Sequence, residues 1–384
     1  MRSIPILDLA PEIDLMRKDL DAAYHKVMDH GRFIMGPEVK EFEAHVAEYL
    51  GSKHAIGVNS GTDALVIALR AAGIGEGDEV ITTSFTFFAT AESISMVGAK
   101  PVFADIDEKT YNVDPDEIVK KISERTKAIM PVHLYGRPAA MSRIMEIAEK
   151  HDLLVIEDCA QSFGASYEIT CLECHGKCSR TGKGQKLGSI GQLGAYSFFP
   201  SKNLGGFGDG GLIVTDDDEL AELCRKLRSH GSLKKYRNEM LGYNSRLDTL
   251  QAALLDVRLN HIEAFNSHRR AVAERYTRAF ADMDGIIPPT PEDAGHVYHQ
   301  YTVRVTGMDR DELAQKLEEK GISTMIYYPV PSHRLPVYGS AYNHVELPIT
   351  DRLTDEVLSL PIGGMFSEED QKRVIDSVVE ILSS

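Results

Sequence analysis

The sequence predicts an α/β protein, with a mostly parallel central sheet, helices on both its faces and a smaller C-terminal α/β unit. Three observations predict it. Strand-type and helix-type segments alternate with βαβ rhythm from Ala55 to Asp158. A second, shorter run of α/β patterning follows a connector rich in Pro and Asp at 282–295. The length of 384 residues, 43% hydrophobic and 26% charged, suits a globular chain of two or three packed units. The expected division is a large unit over 1–248 and a small one over 249–384.

Taken in order, apolar positions at helical spacing (Ile13, Met16, Leu20, Val27) predict a helix over 11–35, ending near Gly31. The pattern repeats from Glu38 to Leu50, with Gly51 as its stop. Ala55–Val58 reads as a strand, Asn59–Thr62 as a turn and Asp63–Ala72 as a helix. Strands are then expected at 79–83, 100–105, 128–132 and 153–158, with helices at 90–96, 114–122 and 142–150 between them. After Lys202 come a strand at 212–215, a helix at 218–229 and one long helical pattern from Thr249 to about Phe280. Segments 298–305, 311–320, 326–330 and 368–382 make up the closing unit.

Bulk properties exclude several functions. A net charge of −16 argues against a nucleic-acid-binding surface. No apolar run approaches the roughly 20 residues that span a bilayer. The polar start (Arg2, Asp8, Glu12, Asp14) lacks a signal-peptide pattern, and five cysteines do not suggest a secreted disulfide framework. The expectation is a cytoplasmic protein without nucleic-acid or membrane partners.

Chemistry concentrates at three places. In Tyr196–Leu212 an apolar run, Ser197-Phe198-Phe199-Pro200-Ser201, meets Lys202 and then five glycines. A lysine at the edge of an apolar wall loses hydration, deprotonates more easily and can attack a carbonyl to form a Schiff base. The plain alternative is a solvated lysine in a glycine-rich turn. Asp158 ends the apolar run LLVIED, so it either pairs with a cation or caps the next helix. Gly61 and Thr62 open a helix, where free N–H groups and the dipole favour a phosphate, though a simple N-cap looks the same. Pyridoxal 5′-phosphate needs all three together: a lysine for its aldehyde, a carboxylate for its ring nitrogen and a helix terminus for its phosphate. A P-loop is excluded, because its lysine follows the glycines.

With these residues in view, the chain resembles the sugar-nucleotide aminotransferases of the DegT/DnrJ/EryC1/StrS family, which have the fold-type I architecture. The likeness rests on Phe33–Val39, Asn59–Leu65, Asp158–Ser162, Ser197–Gly206 and Gly242–Asp248. It implies that Lys202 binds the cofactor's aldehyde and shuttles a proton, while Asp158 pairs with the ring nitrogen. It implies further that Gln161 contacts the ring face or its phenolic oxygen, that Gly61, Thr62 and Ser197 bind phosphate, and that Phe87 stacks on the ring. The family's counterpart of Asn244 reaches into the neighbouring subunit's site, so the resemblance implies a homodimer with shared active sites. Relatives that dehydrate sugars have histidine in place of Lys202, which favours amine transfer here, with glutamate as donor. The form Asn244-Ser245-Arg246-Leu247-Asp248 leans to amination at the 3-position of a UDP-linked keto-sugar rather than the 4-position. Arg246, Tyr327 and Tyr328 are the substrate-binding candidates; Tyr327 stands where 3-keto uronic acid enzymes often have histidine. A dehydratase or a non-catalytic regulator on the same scaffold are the alternatives.

One stretch departs from the family. Between Tyr167 and Gly188 an insertion carries Cys171, Cys174, His175 and Cys178. The C-x2-C-x3-C spacing suits zinc or an iron–sulfur cluster, with His175 or Cys159 as a fourth ligand. A labile disulfide and unbound thiols are the other readings. Cys224, on a helical pattern, is expected in the core.

Overall fold

The computed structural model describes residues 2–169, 182–234, 236–290 and 295–383. Two helices lead in: α1 (Ala10–His30) and α2 (Pro37–Leu50). Each stops at a glycine in the left-handed region, Gly31 at φ 64° and Gly51 at φ 68°. The first helix thus ends at the glycine expected to stop it.

The strands that follow are β1 (His54–Val58), β2 (Glu79–Thr83), β3 (Lys100–Ala104), β4 (Thr126–Ile129) and β5 (Leu154–Asp158). A hairpin, β6 (Ser166–Ile169) and β7 (Gly182–Lys186), precedes β8 (Leu193–Ser197) and β9 (Gly211–Thr215). Seven of them form one sheet in the order β1-β9-β8-β5-β4-β2-β3. Pairing is parallel from β8 to β3; β9 alone runs against its neighbours. The strands that carry Val80, Ile81, Val155, Ile156 and Ile213 bury both faces, as expected where helices cover a sheet on either side.

Those helices are α3 (Gly61–Ala71), α4 (Ala89–Met96), α5 (Pro115–Lys121), α6 (Met141–His151) and α7 (Asp218–Leu227). Helix α3 begins at Gly61 because Ser60 caps it, its Oγ accepting from the Asp63 N–H at 3.0 Å. Two apolar cores result, one on each face, and Cys224 lies in that of α3 and α7, as expected.

The long helical pattern after Thr249 is two helices, α8 (Thr249–Leu259) and α9 (Ile262–Phe280). The break falls at Asn260, whose Nδ2 donates to the Asp256 carbonyl while the His261 N–H turns back to Arg258 O. A side-chain amide competing for helix carbonyls interrupts the ladder, which apolar spacing does not register. Helix α8, at the expected domain boundary, packs on α1 and α2, whereas Val272, Ala273, Tyr276 and Phe280 of α9 enter the small unit's core.

That unit is an antiparallel sheet of β10 (Ile286–Ile287), β11 (Tyr301–Val305) and β12 (Val357–Leu360). It is covered by α10 (Arg310–Glu319), α11 (Pro348–Glu356) and α12 (Glu368–Leu382). Residues 326–330 form an irregular strap with a cis Tyr327–Tyr328 peptide. Two polar contacts seat the strap and its continuation on the large sheet. Ser84 receives the N–H groups of Ser332 and His333, and the buried Asp105 carboxylate receives those of Ile349 and Thr350 at the start of α11.

Candidate active site

Neighbouring strands carry the two central residues. Asp158 ends β5 in register with Ala195 of β8, and β8 runs through Ser197 into the turn that holds Lys202. The turn closes tightly: Lys202 N–H donates to Phe199 O at 2.8 Å and Gly206 N–H to Phe198 O at 2.7 Å. A Cβ at Gly205 would overlap Pro200 O, so only glycine fits.

Partial burial lowers the Lys202 ammonium to about 8, against a pull upward from Asp158. Asp158 is 4% exposed, and burial pushes its carboxyl above the usual range. Two hydrogen bonds oppose that rise, Oδ2 accepting from Thr90 Oγ1 at 2.8 Å and Oδ1 from the Ala160 N–H at 3.1 Å, and Lys202 and His133 pull the carboxyl down more weakly. A buried carboxylate with two neutral donors and no ion pair among the described residues is suited to a cation brought by a ligand.

Gln161 and Tyr328 flank this centre. Gln161 Nε2 donates to the Tyr328 hydroxyl at 2.9 Å, and the Phe87 ring lies 6.1 Å from that of Tyr328. Phe87 is 58% exposed, presenting an aromatic face to the cleft. Tyr327 lies on the same strap and receives the Tyr135 hydroxyl on its carbonyl. On the other side of Lys202, Gly61 approaches Ser197 so closely that a Cβ would stand 2.6 Å from Ser197 Cβ. Helix α3 thereby brings the N–H groups of its first turn, Gly61 and Thr62, beside the Ser197 hydroxyl.

Asn244 and Arg246 stand further out. Arg246 Nη2 donates to Asn244 Oδ1 at 2.5 Å, and Ser245 Oγ donates to Asn59 Oδ1 at 3.0 Å. Arg246 lines an open cleft of about 550 Å³ with Asn59, Ser60 and Asp63. Within one chain no described hydrogen bond joins Asn244 or Arg246 to Lys202 or Asp158.

The residues fit pyridoxal phosphate on three counts: an uncompensated buried carboxylate, a lysine made easier to deprotonate and a helix terminus whose close approach a Cβ would block. Cys171, Cys174, His175 and Cys178 lie outside the described residues. Cys159 is 1% exposed, and burial and then Glu157 drive its thiol upward, surroundings that favour a neutral thiol over a metal-binding thiolate.

A model of the DegT/DnrJ/EryC1/StrS aminotransferase family matches residues 14–379. The chain belongs to this family. Among relatives, it is 47% identical over 382 residues to a "pleiotropic regulatory protein" of Geobacillus stearothermophilus, covering 98% of each chain. It is 43% identical over 373 residues to a UDP-N-acetyl-3-dehydro-alpha-D-glucosamine 3-aminotransferase of Acidithiobacillus ferrooxidans, covering 97% of this chain and 96% of that one. Among solved structures, S. venezuelae DesV in complex with a ketimine intermediate superposes with a TM-score of 0.92 at 43% identity, each chain covered in full.

Some contributors to this family member's site were not evident from spacing. Thr90 orients Asp158 from the first turn of α4. Tyr135, with φ 57°, follows β4 and touches both Gln161 and the strap. His299 is 5% exposed; burial, then Lys202 and Arg269, hold it well below its usual range. His133, which sits at a strand end like the others, proves structural. It is fully buried, with Nε2 on Glu157 at 3.0 Å and Nδ1 accepting from Ala139 N–H. Glu157 also receives the N–H groups of Gly188, Ile190 and Gly191, so that the close grouping of His133, Glu157 and Cys159 is already occupied by hydrogen bonds.

Proposed function

We propose that the protein is a pyridoxal-phosphate-dependent aminotransferase that moves an amino group from glutamate to the 3-keto position of a UDP-linked sugar, for an amino sugar of a surface glycan. The observation that carries this reading is Lys202, lowered to about 8, beside the buried and unpaired Asp158 at the sheet's carboxyl edge. When bound, the cofactor supplies an electron sink for the carbon that bears the amine. Lys202 Nζ takes and returns the proton at that carbon. Asp158 keeps the ring nitrogen protonated, Thr90 holds Asp158 in place, and Phe87 covers the ring and excludes water. Gly61, Thr62 and Ser197 donate to the phosphate.

Support for the 3-position comes from the 3-aminotransferase relative and from the Asn244–Asp248 stretch. Arg246, Tyr327 and Tyr328 are the groups proposed to meet the sugar nucleotide. A second copy of the chain is proposed to complete the site with its own Asn244. Tyr236 is 87% and Leu241 96% exposed, as suits a face covered by a partner. No described helix is long and apolar enough to cross a membrane, and a cytoplasmic location is proposed. The cysteines of the insertion are proposed to bind zinc or an iron–sulfur cluster in a structural or regulatory role, since the amine transfer needs no metal.

Borohydride reduction followed by peptide mass spectrometry tests the reading. The cofactor should be trapped on Lys202, and its absence there would refute the assignment. Glutamate offered with a panel of 3-keto and 4-keto UDP-sugars should yield product with the former; a 4-keto preference moves the reaction to that position. The regulatory relative motivates a second reading, a cofactor-binding regulator without turnover, and trapped cofactor with no product from any sugar would favour it.

A further inference from the structure

Most hydroxyls on α4 turn back to the helix itself. Ser93 Oγ donates to Thr90 O at 2.9 Å and Ser95 Oγ to Ala91 O at 3.1 Å, the ordinary course for such a group. Thr90 departs from this. Its Oγ1 donates to Asp158 Oδ2 at 2.8 Å and stands 3.0 Å from Thr86 Oγ1, four residues earlier. All three residues are sealed from water: Thr86 is 3% exposed, Thr90 1% and Asp158 4%.

The direction of the Thr86–Thr90 contact follows from counting protons. A hydroxyl has one proton to give and two lone pairs that accept. Thr90 gives its proton to the carboxylate, so in the contact between the two threonines Thr86 is the donor. Among the described residues the Thr86 hydroxyl makes no other hydrogen bond. Both hydroxyls therefore point one way, toward Asp158. Donors in series polarise one another, and Thr90 gives more strongly for having accepted. The backbone that carries Thr86 is fixed as well. Phe85 N–H donates to Thr83 Oγ1 at 3.0 Å, and Ser84 receives the N–H groups of Ser332 and His333.

We propose that Thr86 and Thr90 form a one-way hydroxyl relay onto the Asp158 carboxylate, and that Thr86, acting through Thr90, is a positioning residue for the pairing of Asp158 with the cofactor's ring nitrogen. The inference rests on the cofactor reading above. Burial by itself drives this carboxyl toward its neutral form, which cannot hold a proton on a ring nitrogen by its charge. A donor aimed at Oδ2 is strongest when that oxygen is charged, so the Thr90 bond opposes the neutral form. Thr86 strengthens the opposition without touching the carboxylate. Removing its hydroxyl leaves the shape of the site in place and weakens only the last donor of the series.

The test compares two ligands of the apo-protein by equilibrium dialysis: pyridoxal phosphate, and its carbocyclic analogue with C–H in place of the ring nitrogen. Wild-type protein should prefer the compound that has the nitrogen. Thr86→Val, of the same shape without the hydroxyl, should lose about threefold of that preference while its affinity for the analogue stays unchanged. Thr86→Ser should restore the preference, and Thr86→Cys, whose S–H is a weak donor, should fall between. Equal weakening of both ligands in Thr86→Val would overturn the relay and leave Thr86 as packing for the turn. An unchanged preference in that variant, or a Thr86→Ser variant no better than Thr86→Val, would overturn it too. A wild type that shows no preference, or no cofactor trapped on Lys202 by borohydride, would instead remove the cofactor reading beneath it.

Discussion

At the scale of single residues, the proposed site rests on two groups held in the wrong medium for their charge. Lys202 is lowered from 10.5 to about 8 by burial, so the free amine gains population at neutral pH. The rate at which apo-protein captures pyridoxal phosphate should therefore rise with pH through a midpoint near 8. Stopped-flow absorbance checks this, and a midpoint near that of free lysine would contradict it. The same shift acts on folding. The unfolded lysine stays protonated up to 10.5, the folded one only to about 8, so this group makes the apo-protein more stable as pH rises across that window. Lys202→Ala should flatten that dependence in thermal melts and abolish turnover. Asp158→Ala should lose about 100-fold or more in kcat, the scale of removing a preorganised electrostatic partner, while the Lys202 linkage still forms. Near-normal turnover would take the role from Asp158. Thr90→Val removes one hydrogen bond to that carboxylate, about 1 kcal/mol, and should cost roughly fivefold in kcat.

Elements position these groups by their ends. Helix α3 reaches Ser197 only because Gly61 lacks a Cβ. Gly61→Ala places an atom 2.6 Å from Ser197 Cβ, so helix and strand must separate and the proposed phosphate donors with them. Equilibrium dialysis should show clearly weaker cofactor binding, and wild-type affinity would argue against phosphate at this terminus. The turn at 188–191 depends on Glu157, whose carboxylate receives three N–H groups and His133. Glu157→Ala leaves buried donors without acceptors, at about 1–3 kcal/mol each, and should lower the melting temperature sharply. A melt like that of the wild type would show the turn to be held otherwise. At this scale most helix and strand positions were legible from apolar spacing, because each strand is buried and each helix covers one face. The break at Asn260 was not, since a side-chain amide capturing a carbonyl leaves the apolar pattern intact. Nor was the irregular strap at 326–330, whose Tyr-Tyr-Pro-Val composition suits a strand but which is held by Tyr135 and Gln161 instead.

For the whole molecule, the sheet order explains why the site lies where it does. Strands β5 and β8 are adjacent although the hairpin of β6 and β7 separates them in sequence, and the crossover places Asp158 next to the Lys202 turn. The strap at 326–330 meets the large sheet's residues through the Tyr135 hydroxyl on Tyr327 O and Gln161 Nε2 on the Tyr328 hydroxyl. Exposed Tyr236 and Leu241 lead to an expected dimer in sedimentation analysis, weakened by Leu241→Asp; a monomer at micromolar concentration would refute the shared site. Metal analysis of anaerobically purified protein should find zinc or iron near one equivalent per chain. Sub-stoichiometric amounts of both would leave the insertion's cysteines as thiols.

Residue types and local spacing determined the fold class and singled out Lys202, Asp158 and the helix terminus at Gly61 as candidates, because desolvation, capping and burial are read along the chain. Partnership was settled elsewhere. That Thr90 orients Asp158, that His133 serves Glu157 rather than a ligand, and that one Tyr135 aligns Gln161 with a strap from the other unit follow from contacts between residues far apart in sequence. Such contacts follow from sheet order and from how the two units pack, and neither is encoded in the spacing of any single stretch.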